Sequence, residues 1–165
     1  MRILGIDPGT AILGWGVLDS TGATISAVAY GALTTLANTP PAERLVQLFA
    51  GLQTVLAQHR PDAAAIEELF FSRNVTTALA VGQARGVVLL AIAQAGVPIY
   101  EYKPREVKQA VVGYGGADKR QIQEMVRMTL SLATIPKPDD TADALAIALC
   151  HAYTAPAMQR IAAQL

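Results

Sequence analysis

Residues 2–19 read RILGIDPGTAILGWGVLD. The apolar run Ile3-Leu4-Gly5-Ile6 ends on a carboxylate, Asp7, and Pro8-Gly9 punctuates the chain directly after it. A charged side chain at the end of a buried strand is costly unless something compensates it. Asp7 is therefore expected to be held at a strand end for a purpose. From Leu13 to Asp19 a second strand pattern follows, and after Gly22 a third runs from Ala23 to Leu33. Short turns between three such runs predict an antiparallel meander.

Beyond the meander the period changes. Leu45, Leu48, Phe49, Leu52, Val55 and Leu56 share one face of a helix expected from Pro41 to about His59, ended by Arg60-Pro61. Asp62 to Glu67 reads as a fourth strand, again ending in acid. Asn74 is expected to cap a long helix to Ala95, stopped by Gly96. VPIYEY, residues 97–102, is a fifth strand. Helices are expected from about Pro104 to Val112, Asp118 to about Leu132 and Asp139 to Tyr153. Three strands, then helix and strand alternating, then helices, predict an α/β fold: a five-stranded mixed sheet with helices on both faces. One domain over residues 1–154 and a tail over 155–165 account for the length of 165 residues.

The formal net charge is zero, with 13 Lys+Arg against 13 Asp+Glu. A strongly basic nucleic-acid binder is thereby excluded, though a local basic face is not. The lone Cys150 permits no intramolecular disulfide and lies in an apolar helical pattern, so it is expected to be buried and inert. No export signal or membrane-length apolar run is visible, so a cytoplasmic protein is expected. An apolar fraction of 52% against 16% charged residues suggests that a partner covers some apolar surface. The helix from Asn74 is apolar or small nearly all round, which predicts burial on more than one side. Either it is a central helix, or it also builds a dimer interface.

Three acidic sites look alike. Asp7 ends the first strand, Glu67 ends the fourth, and Asp140 and Asp143 open the last helix in PDDTADALAIAL. If the first and fourth strands are neighbours, their acids lie side by side. Asp140 and Asp143, three apart, share a helical face. Four converging carboxylates would repel one another unless cations lie between them. Oxygen donors without a His or Cys cluster favour Mg²⁺ or Mn²⁺ over zinc. Two such ions suit phosphodiester hydrolysis. Glu68 beside Glu67 and Asp139 beside Asp140 leave open which of each pair is the ligand, because adjacent strand residues point to opposite sides and Asp139 and Asp143 are also helical neighbours.

ILGIDPGT with GWGV, IEELFF, LAVGQARGV, VKQAVVGYGGADK and DDTADALAIALCHA occur in order over residues 2 to about 153. Together they resemble the RuvC family of bacterial Holliday junction resolvases. The resemblance implies a ribonuclease H-like fold and a homodimer that cuts four-way junction DNA by two symmetric nicks, in recombination and DNA repair. It implies Asp7, Glu67, Asp140 and Asp143 as the catalytic acids, holding two Mg²⁺ per site with Mn²⁺ as a possible substitute. The branch-migration proteins RuvA and RuvB are expected as partners by the same resemblance.

Lys103, Arg105 and Lys108 gather at one helix start, and Lys119-Arg120 follows the GYGG loop. The resemblance puts Lys108 and Lys119 near the acids as phosphate contacts, a role in which lysine serves as a flexible point charge. Arg73 and Arg85 are weaker candidates, and Arg85 could equally anchor structure. Phe70 and Phe71 are either core residues or groups that stack on bases at the junction, and the resemblance favours Phe70 for the base contact. GIDPGT is also similar to the phosphate turn of actin-like ATPases, but the chain is too short for their two domains. A nuclease acting on RNA–DNA hybrids and a non-catalytic junction-binding protein are the remaining alternatives.

Overall fold

The computed structural model describes residues 1–21, 24–68 and 75–162. Its strands are β1 (Arg2–Asp7), β2 (Ile12–Ser20), β3 (Ile25–Thr34), β4 (Ala63–Glu67) and β5 (Ile99–Tyr102). They form one sheet in the order β3-β2-β1-β4-β5. The β1–β2 and β2–β3 pairs are antiparallel, and β4 joins β1 in parallel, with Ile6 opposite Ile66. β5 continues parallel to β4, with Glu67 opposite Tyr102. The expected meander and the expected neighbourhood of the first and fourth strands are both present.

Strand alternation sorts the core into two layers. Leu4, Ile6, Leu13, Val17, Ala64 and Ile66 point to one face, where α1 (Pro41–His59) and α2 (Val75–Gln94) cover them. Ile3, Leu18 and Ala65 point to the other, under α3 (Pro104–Val112), α4 (Lys119–Thr129) and α5 (Asp139–Ala162). Each fully buried aliphatic side chain of this kind contributes on the order of 2 kcal/mol. Helices thus cover both faces, as the order of elements predicts.

The second layer is unusually thin where α5 crosses the sheet. A Cβ on Gly5 would meet the Ala144 carbonyl oxygen at 2.1 Å, and one on Gly14 would meet the Asp140 carbonyl oxygen at 2.0 Å. On Gly16 it would strike Leu145 Cδ2 at 2.6 Å. Glycine at these three positions lets the α5 backbone lie on the strands, and Ala144, Ala148 and Ala152 complete the close fit.

Of the two alternatives for α2, the chain by itself does not make it a fully enclosed central helix: Ala84, Val88, Ala91 and Ile92 face the core, whereas Leu79 is 64% and Leu90 52% exposed. One expectation is revised. The last helix does not stop at Tyr153. It continues to Ala162 with Pro156 inside it, so the expected tail prolongs α5 at least that far. Asn74, expected to cap α2, lies outside the described residues, as do Phe70, Phe71 and Arg73.

Candidate active site

The alternation that sorts the core also aims the acids. Ile3, Gly5 and Asp7 share the α5 side of β1, and Ala65 places Glu67 on that side of β4. Asp7 and Glu67 therefore end two adjacent parallel strands and face the first turns of α5. Glu68 falls on the opposite alternation; its backbone N–H extends the ladder to the Tyr102 carbonyl at 2.8 Å. Of the adjacent pair, Glu67 is the one brought to the site.

Asp7, Glu67, Lys108, Lys119 and Asp143 line a cleft of about 200 Å³ floored by Val107, Ile122, Ala146 and Ile147. Asp140 does not line the cleft itself, but its charge reaches both Asp7 and Asp143. Asp139 is held by two lysines, and its charge is not among those that raise Asp7. Its Oδ1 accepts a hydrogen bond from Lys137 Nζ at 2.6 Å, which holds its carboxyl below the usual carboxylate range. The helix start and the sheet thus distinguish Asp140 from Asp139.

The acids perturb one another. Burial, then the charges of Asp143, Glu67 and Asp140, push the Asp7 carboxyl up to about 7. Glu67 is raised by burial and by Asp143, against the pull of Lys108. Asp143 is raised by burial and by Asp140 and Asp139, although Lys119 opposes this. Burial works against the charged form of Lys119, but its contacts with Asp143 and Asp139 outweigh that and raise it.

Local structure fixes the two lysines. Lys103 N–H donates to Glu106 Oε2 at 2.7 Å, and Pro104 starts α3, which presents Lys108 one turn later. The start of α4 is a capping box: Asp118 Oδ1 accepts from Gln121 N–H, and Gln121 Oε1 accepts from Asp118 N–H, both at 2.9 Å. Tyr114 Oη donates to the same Gln121 oxygen at 2.7 Å, which ties the glycine loop to the helix. Lys119, the first residue of α4, then places Nζ 3.1 Å from Asp143 and 3.4 Å from Asp139. Arg120 is exposed beside it and does not line the cleft.

As placed, no three His, Cys, Asp or Glu side chains among the described residues close around a single ion. The donor set nevertheless fits a hard divalent cation. It is oxygen-only, and an aspartate raised to about 7 by burial, and then by its fellow acids, sits in an excess of negative charge that such a cation relieves.

Other candidates have structural partners. Arg85 pairs with Glu101 on β5. His151 is 1% exposed, and its Nδ1 lies 2.6 Å from Tyr102 Oη. His59 ends α1, and its ring packs on Trp15 with centroids 5.7 Å apart. The buried Cys150 thiol is pushed up to about 12 by burial, so it stays protonated. The glycines under α5 are the functional positions that the sequence reading missed. Their signal was available, because Gly5, Gly14 and Gly16 occupy the same alternation as Asp7.

The family model for RuvC, crossover junction endodeoxyribonuclease, matches residues 3–151. A RuvC from Chloroflexus aggregans is 68% identical over 160 residues, covering 97% of this chain and 98% of that one. Thermus thermophilus RuvC superposes with a TM-score of 0.88 at 42% identity, covering 96% of this chain and 97% of that structure. The same protein in complex with a Holliday junction substrate gives 0.87 at 41% identity, covering 95% and 96%. The chain belongs to the RuvC family of crossover junction endodeoxyribonucleases.

Proposed function

We propose that this chain resolves Holliday junctions by metal-dependent hydrolysis of DNA phosphodiesters, with Asp7, Glu67, Asp140 and Asp143 as its catalytic acids. The observation that carries this is the meeting of acids from β1, β4 and α5 at one cleft flanked by Lys108 and Lys119. The structure of the Thermus thermophilus relative with a Holliday junction supports the same substrate here. Two Mg²⁺ ions, with Mn²⁺ as a substitute, are the proposed cofactors; held by the four acids, they would supply an activated water and stabilise the leaving oxygen.

The chain's own residues do the rest. Asp7 must give up its proton to hold metal, and burial beside Asp143, Glu67 and Asp140 works against that ionisation until a cation arrives. Lys108 and Lys119 meet the phosphates on either side of the cleft. Arg120, exposed next to Lys119, extends that basic edge. Phe70, Phe71 and Arg73, which follow Glu67-Glu68 in the sequence, are proposed as contacts to bases and backbone on the family resemblance. Because the net charge is zero, these few cations must supply the local attraction for DNA.

The working unit is a homodimer joined through α2. Leu79, Gln83, Gly86, Leu90 and Ala93 are exposed and recur at spacings of four and three, the seam that helix pairs bury. A Cβ on Gly82 or Gly86 would meet nothing within 4 Å, so this side of α2 is open to a second helix. Two sites per dimer then make the paired nicks. No helix among the described residues is long and apolar enough to cross a membrane. A cytoplasmic setting, with RuvA and RuvB as partners in branch migration, completes the proposal.

The test is cleavage of a synthetic four-way junction, a matched linear duplex and an RNA–DNA hybrid, with and without Mg²⁺ or Mn²⁺. Paired, metal-dependent nicks confined to the junction are expected. Tight junction binding without nicking would make the chain a binding protein, and preferred cutting of the hybrid would make it a ribonuclease.

A further inference from the structure

Asp139, half-buried at the start of α5, touches two lysines at once. Its Oδ1 takes a hydrogen bond from Lys137 at 2.6 Å, and its Oδ2 lies 3.4 Å from Lys119 Nζ. Lys119 is shared: the same Nζ is 3.1 Å from Asp143, which lies one helical turn further along α5. Lys137, Asp139, Lys119 and Asp143 therefore form an alternating chain of charge from the surface to the lip of the cleft.

We propose that Asp139 is a positioning residue for the nicking reaction: anchored by Lys137, it holds the Lys119 ammonium at the edge of the cleft, between itself and Asp143. The proposal rests on the nuclease reading given above. A lysine on a four-carbon stem loses much rotamer freedom when it must meet a phosphate in one place. A second carboxylate outside the cleft fixes the ammonium beforehand, so less ordering remains when DNA arrives. It also shares the Lys119 ammonium with Asp143. With Asp143 alone, the ammonium would settle wholly on one of the acids proposed to hold metal. Each contact is exposed and individually weak, so the effect lies in where Lys119 stands rather than in the stability of the fold.

Four measurements test this on the whole chain. Single-turnover nicking of a four-way junction by Asp139→Asn should slow by about tenfold, with junction affinity measured in the absence of divalent metal unchanged within about twofold. Asp139→Glu, which keeps the carboxylate, should restore the rate to within about twofold. In a double-mutant cycle, adding Asp139→Asn to Lys119→Met should cost no further rate, because both act through one ammonium. Labelling of the Lys119 amine in metal-free protein, read by mass spectrometry, should be faster in Asp139→Asn than in the native chain.

Native nicking with an unaltered rate in Asp139→Asn would overturn the proposal, as would full additivity with Lys119→Met. A raised Mg²⁺ requirement in Asp139→Asn would overturn it too, by making Asp139 a metal holder. Failure of the native chain to nick the junction at all would instead overturn the nuclease reading.

Discussion

Gly14 and Asp140 touch backbone to backbone: a Cβ on Gly14 would lie 2.0 Å from the Asp140 carbonyl oxygen and 2.9 Å from the Thr141 nitrogen. Gly14 is paired with Asp7 across β1 and β2. The first turn of α5 is therefore held directly over the strand end that bears the first acid. Both obstructing groups are backbone, so no side-chain rotation can relieve the clash. Gly14→Ala should push the start of α5 off the sheet and destabilise the protein by about 3 kcal/mol, and urea denaturation reads the loss. At temperatures where the variant is still folded, nicking should fall further than the folded fraction does, because Asp140 and Asp143 move with the helix.

Asp7 makes the metal-free protein pH-sensitive. Its folded value of about 7 stands above the ordinary carboxyl value of 3.8, and burial is the first cause. A group raised in the folded state contributes stability at low pH and loses it as pH rises through the folded value. Asp7→Asn removes the ionisation. Its stability advantage over the native chain should grow from pH 4 to pH 7 and level off above, reaching on the order of 4 kcal/mol in the presence of chelator. Added Mg²⁺ should stabilise the native chain at pH 8 and leave Asp7→Asn unmoved. An advantage that stays flat with pH would show that the four acids do not share one field.

Apolar α2 supplies a prediction about assembly. Leu90 is 52% exposed at the middle of the seam that includes Leu79 and Gly86. Leu90→Glu places a charge where two such helices would pack, and burying an unpaired carboxylate is prohibitive. Light scattering should give twice the chain mass of 17.4 kDa for the native protein and a single chain for the variant. A dimeric Leu90→Glu protein would move the interface elsewhere.

What was legible in the sequence was what depends on neighbouring residues. Short apolar runs ending in acid, RILGID and DAAAIE, marked the strands, and the 3.6-residue period from Leu45 marked α1. The choice between Glu67 and Glu68 was not legible from spacing, because it depends on which side of the sheet α5 covers. Once Ala65 is known to face α5, Glu67 follows. The close seat of α5 was written in Gly5, Gly14 and Gly16, but a glycine at a strand position also reads as a turn or bulge until its partner is known. The last helix is expected to end at Tyr153, yet α5 runs on through Pro156 to Ala162. The exposed seam of α2 was anticipated as an alternative, since a helix apolar on every side must be covered by something.

Asp7 is where the account is most exposed, because it joins the fold to the chemistry. The decisive comparison sets native protein and Asp7→Asn side by side on a four-way junction, with binding measured in chelator and nicking in Mg²⁺. The amide keeps the shape of the carboxylate and leaves Lys108 and Lys119 in place, so junction affinity should hold within about threefold while nicking falls by at least about a thousandfold. An Asp7→Asn protein that still nicks the junction at the native rate would contradict the assignment of this cleft as the active site.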